Sequence, residues 1–105
     1  MLFDRQREIG RYDKGGIWVS TKRVWRGDRP IETEVAHPCY DDGTPIGVEA
    51  YDTDEAAREG HHRWVRTMTG DELPETLTEI CNSSLAKFFV SVGVETVFPK
   101  QEPAT

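Results

Sequence analysis

The sequence predicts an α+β fold: an antiparallel β-meander of three to four strands, covered on one face by an amphipathic helix and followed by a short second helix and a C-terminal strand. Three observations carry this expectation. Residues 31–37 and 46–51 alternate apolar and polar side chains at the period of a half-buried strand. Between them, Asp42-Gly43 is the turn chemistry of a tight hairpin. At Tyr51-Asp52-Thr53-Asp54-Glu55-Ala56-Ala57-Arg58 the period of two gives way to one of three and four.

Taken in order, residues 2–12 read as a short extended piece, and Asp13-Lys14-Gly15-Gly16 is a loop signal. The next strand runs over 17–26, with Ile17, Val19, Thr21 and Trp25 on one parity and Trp18, Ser20 and Lys22 on the other. Arg23 and Val24 interrupt the alternation and mark a bulge or an edge. Gly27-Asp28-Arg29-Pro30 reverses the chain, because Gly permits positive φ and Pro fixes φ while lacking an N–H. The following strand places Ile31, Thr33 and Val35 inside and Glu32 and Glu34 outside, and Pro38 ends its pairing. In the last strand of the meander Ile46, Val48 and Ala50 are expected inside, with Glu49 outside.

Such a sheet needs a cover over its apolar face. The helix after Tyr51 supplies one: Ala57, His61, Trp64, Val65 and Met68 form a stripe, Asp52 is the expected N-cap with Glu55 reaching back, and Gly70 stops it. Beyond it Leu77, Ile80, Cys81 and Leu85 again have helical spacing, which predicts the short second helix. Residues 85–89 fit either a helix or a strand, whereas Val90, Val92 and Val94 alternate as a strand from about 89 to 98. Residues 1–98 thus make a single α+β domain, and 99–105 a polar tail with no material for a core.

A chain of 105 residues supports one modest core. Its 36% hydrophobic and 30% charged residues, with three Trp, belong to a folding chain rather than a disordered one. A formal net charge of -6 lacks the basic footprint of a duplex binder, so nucleic acid is disfavoured as a partner. The same acidity suits docking on a basic protein surface. The charged start Met1-Leu2-Phe3-Asp4-Arg5 has no apolar signal region, no segment is long and apolar enough to span a membrane, and two cysteines do not make a disulfide framework; a cytoplasmic setting without membrane contact is expected.

Met1-Leu2-Phe3-Asp4-Arg5, Trp18-Val19-Ser20-Thr21, Glu32-Thr33 and the helix entry from Tyr51 to His61, in that order, resemble a family of small uncharacterised proteins of bacteriophage and prophage genomes. The resemblance covers roughly residues 1–66. Residues 22–30 depart from it, being shorter and more basic than the Gly-rich connection of that family. It implies a phage origin and no particular activity.

Chemistry-bearing residues are sparse. Lys22, Arg23, Arg26 and Arg29 flank Trp25 in a pattern that can stack a base and touch phosphate, yet also discourages edge-to-edge strand pairing. Arg26-Gly27-Asp28 is turn chemistry. His37, Cys39, His61, His62 and Cys81 are suitable metal ligands by type, but their spacing fits no zinc knuckle, and adjacent His61 and His62 diverge by about 100° on a helix. His61 is expected packed and His62 solvated. Nucleophilic catalysis would need Cys39 or Cys81 beside a histidine base and an orienting carboxylate, and His37, two residues from Cys39, would be that base with an unidentified acid. No cofactor, metal or catalytic set is expected. The remaining reading is a non-enzymatic phage-type accessory protein that binds a host protein with a basic surface through Trp18, Glu32, Glu34 and Glu49; the alternative is a minor structural or assembly component of the phage particle.

Overall fold

A computed structural model describes residues 8–24, 29–80 and 96–101 of the chain. Four strands form one antiparallel sheet in sequence order: β1 (Glu8–Lys14), β2 (Ile17–Arg23), β3 (Ile31–Ala36) and β4 (Ile46–Tyr51). One helix, α1 (Asp54–Thr69), packs across it. A second, two-stranded sheet joins β5 (Thr76–Thr78) to β6 (Val97–Pro99). The α+β meander with its helical cover is the fold the sequence predicts.

Turn chemistry explains the meander. Gly15 and Gly16 both take positive φ, 62° and 83°, which closes β1 onto β2 with Lys14 opposite Ile17. Between β3 and β4 the reversal is wider than a two-residue hairpin. His37 bridges Tyr40, and Asp41, Asp42 and Gly43 then turn with φ of 47°, 54° and 86°, leaving Val35 opposite Ile46.

Register decides what lies under α1. Val19 opposite Val35 and Thr21 opposite Thr33 place alternate residues of β2 and β3 on the helix side, as their alternation predicts. In β4 the pattern breaks. Thr33 faces Glu49, whereas the next residue, Glu34, faces Gly47, so Val48 is the extra residue of a β-bulge. One extra residue exchanges the faces of everything beyond it. Glu49 and Tyr51, not Ala50, therefore follow Ile46 to the helix side, which corrects the expected placement of Glu49 on the outer face, while the extra residue Val48 still packs against the core cluster of Ile46 as expected.

Among the described residues the core has two apolar parts. Val19, Val35, Cys39, Tyr40, Ile46, Met68 and Leu77 form the larger, with Trp64 and Val65 of α1 packed against it. Ile31, Tyr51 and Ala57 form the smaller. The expected helix stripe is the one that meets the sheet: Ala57, His61 and Met68 are buried, joined by Gly60. The N-cap sits one residue later than expected. The Thr53 side chain accepts from the Ala56 N–H at 3.1 Å, and Asp54 and Glu55 occupy the first turn, where the helix end is positive.

The predicted second helix is corrected for its described part. Residues 76–78 are strand β5, whose central Leu77 is buried in the larger core. Leu77 has Thr76 and Thr78 as neighbours, an exposed-buried-exposed alternation that a strand satisfies with a single apolar side chain. Beyond it Glu79 N–H donates to Thr96 O and Ile80 N–H to Gly47 O, each at 3.0 Å, which commits this backbone to neighbouring strands. Strand β6 is the end of the predicted C-terminal strand; the remainder of both expectations, and Cys81, lie outside the described residues. Among the described residues no helix is long and apolar enough to cross a membrane.

Candidate functional site

Between the two apolar clusters a polar line crosses the sheet beneath α1. His61 Nδ1 lies 2.8 Å from Thr21 Oγ1, Thr21 Oγ1 lies 2.6 Å from Thr33 Oγ1, and Thr33 Oγ1 lies 3.0 Å from Tyr51 Oη. The Tyr51 hydroxyl donates to Glu49 Oε1 at 2.9 Å, and the same oxygen accepts from Trp64 Nε1 at 2.8 Å and from the Arg63 guanidinium. Each link has a local cause. Thr21 and Thr33 are cross-strand partners on one face, as are Thr33 and Glu49, while His61 and Trp64 are one helical turn apart.

Two glycines make room for the rings. A β-carbon on Gly10 of β1 would lie 2.7 Å from His61 Cδ2 and 2.8 Å from its Nε2, so that edge of the imidazole rests on bare backbone. A β-carbon on Gly60 would fall on the Tyr51 phenol. Burial raises the Tyr51 pKa from 10.0 to about 12; hydrogen bonding to Thr33 opposes this, and the Glu49 carboxylate reinforces it. His61 is pushed below its ordinary 6.5, first by burial and then by His62, with Glu8 pulling the other way.

Trp18, Glu32 and Glu34 share the outer face of the sheet. Trp18, half-buried, stands opposite Asp13 of β1 and Ala36 of β3, Glu32 stands opposite Lys22, and Glu34 lies 3.9 Å from the Lys22 ammonium. Between these larger groups Ser20 and Ala36 are only 4% and 8% exposed. Glu49, expected beside them, lies on the opposite face and is engaged by Tyr51, Arg63 and Trp64.

The other candidates do not converge. His37 is buried, and its Nδ1 accepts from the Cys39 backbone N–H at 3.0 Å, so this nitrogen serves the turn rather than the thiol. Burial also lowers the His37 pKa. Tyr40 packs edge-on against the His37 ring and donates its hydroxyl to Pro74 O. His61 is buried and His62 exposed, as helical divergence predicts. Among the described residues no three His, Cys, Asp or Glu side chains group as a metal site. Of the basic cluster, Arg23 pairs with Asp54 at 2.6 Å and Arg29 donates to Ala50 O at 3.1 Å, while Trp25 and Arg26 lie outside the described residues.

Sequence reasoning missed the polar line because its members read separately as apolar-face threonines, a packed histidine, a strand-end tyrosine and an outward glutamate. One signal was available: two Thr at the inner parity of neighbouring strands, with a His on the covering stripe, put three polar groups in one core layer. No protein-family model, curated protein or solved structure matches this chain.

Proposed function

We propose that this chain is a small non-enzymatic accessory protein of phage type that binds a host protein in the cytoplasm through the sheet face turned away from α1. The observation that supports this reading is Trp18, a half-buried aromatic that shares that face with Asp13 opposite it and with Glu34, Lys22 and Glu32 further along the strands. An aromatic anchor within a charged rim is the usual centre of an energetic hot spot. With Asp13, Glu32 and Glu34 outnumbering Arg11 and Lys22 across β1 to β3, the complementary partner surface is basic. Glu49 takes no part, since it lies on the opposite face with its carboxylate engaged by Tyr51, Arg63 and Trp64. The resemblance to phage and prophage proteins supports a role during infection, and residence in the phage particle is the competing reading.

The test is an affinity pull-down from infected cells with the wild type and a Trp18→Ala/Glu34→Ala double variant. The expected result is one host protein recovered near stoichiometric yield with the wild type and lost with the variant, while the melting temperature changes by less than about 4 °C. Recovery of phage particle proteins instead would favour the assembly role. A variant that melts much earlier would show Trp18 to be a packing residue and remove this face from consideration.

A further inference from the structure

The polar line beneath α1 contains four contacts in series: His61 to Thr21, Thr21 to Thr33, Thr33 to Tyr51 and Tyr51 to Glu49. Every contact needs one proton between its two heavy atoms. The three hydroxyls supply one each, because a hydroxyl carries a single hydrogen. The fourth must enter from one end, either from a protonated Glu49 or from His61 Nδ1. At the Glu49 end the same oxygen also accepts from Arg63 and Trp64, so it is crowded with donors and acts as the carboxylate. We propose that Glu49 orders this chain of hydroxyls and thereby locks His61, on the other side of the core, into the Nδ1–H tautomer.

The order then runs one way. Tyr51 donates to Glu49, Thr33 to Tyr51, Thr21 to Thr33, and His61 Nδ1–H to Thr21. His61 Nε2 is left with its lone pair, on the ring edge that lies against Gly10 of β1. This is the opposite of the tautomer that a free histidine side chain prefers. The two ends differ in access. The Glu49 side chain is 36% exposed at the margin of the sheet, whereas His61 is 7% exposed.

The chain thus couples its two ends: which nitrogen of His61 carries the proton follows from the direction in which Tyr51, Thr33 and Thr21 donate. The charged groups that bias the two ends are Arg63 at Glu49, and His62 of α1 with Glu8 of β1 at His61.

Imidazole nitrogen-15 correlation spectra at about pH 8, where histidine is neutral, read the tautomer directly. In the wild type His61 is expected to show a protonated Nδ1 and an unprotonated Nε2. Tyr51→Phe frees the Thr33 proton, and Thr33→Val cuts the chain at its midpoint while keeping the β-branched shape. Either variant should shift His61 toward Nε2–H, and the second covers the case in which the first does not fold. A wild-type His61 protonated at Nε2 would overturn the proposal. So would a tautomer unchanged in every variant that folds, because His61 would then be set by its own surroundings alone.

Discussion

Gly10 and Gly60 are the residues whose replacement tests the packing most directly. In an exposed helix Gly→Ala gains about 1 kcal/mol. Gly60→Ala in α1 should instead lose about 1–3 kcal/mol, because the new methyl falls on the Tyr51 ring, and Gly10→Ala should lose a similar amount against the His61 imidazole. Urea denaturation of both variants checks the sign. Two buried histidines give the protein an acid limb. Both His61 and His37 have folded-state pKa values below 6.5, so the unfolded chain binds more protons as pH falls through that value, and stability is lost from there down through the folded values. The measurement is urea stability from about pH 7.5 to 5, with His61→Gln and His37→Gln flattening the curve; an unchanged slope in both variants would assign the acid limb elsewhere. Tyr51 acts at the other end. Its pKa is raised to about 12 from 10.0, so its contribution is complete below pH 10 and fades as pH climbs toward 12. Alkaline absorbance titration should show Tyr51 and Tyr40, whose pKa burial also raises, ionising late, with the Tyr51 contribution lost in Tyr51→Phe.

At the scale of the element, the bulge in β4 matters most. Without it Val48 and Ala50 would face α1; with it a glutamate and a tyrosine do, and Glu49 meets Arg63 and Trp64 on successive positions of the helix. The bulge thereby converts a plain apolar strand into the end of a polar line. Glu49→Ala should cost about 1–3 kcal/mol, since Tyr51 and Trp64 lose their acceptor in a partly buried setting. Thermal melting would read it, and a neutral result would mean that water replaces the carboxylate. The helix itself begins at a cap visible in sequence but misplaced by one residue. Asp52 and Thr53 are both competent caps, and Thr53 takes the role because its backbone, at φ -129° and ψ 154°, immediately precedes the first helical residue. Thr53→Ala should cost about 1 kcal/mol.

For the whole molecule, sheet order ranks the strands. β2 and β3 are each paired on both sides within the sheet and lie under α1, so their amides should exchange slowest in native-state hydrogen exchange. The amides of β5 and β6, in a sheet of two short strands, should exchange well before them. Protection of β5 and β6 equal to that of β2 and β3 would show the two sheets opening as one unit. The contrast between faces also belongs to this scale. One face of the large sheet is closed by α1 over a core split by hydrogen bonds; the other carries Trp18, Glu32 and Glu34 with Lys22.

The sequence by itself determined the meander, its inner parity in β2 and β3, the helix and its buried stripe, and the separation of buried His61 from exposed His62. These follow from local periodicity and turn residues, and neighbouring residues in the chain suffice to set them. Tertiary structure alone decided the face of Glu49, because a bulge is a mismatch between two strands and has no signature within one of them. It alone decided that Leu77 lies in a strand rather than a helix, since three residues take the conformation that their partners across the sheet offer. And it alone joined His61, Thr21, Thr33, Tyr51 and Glu49, which lie on four different elements and meet only when register and helix placement are both fixed.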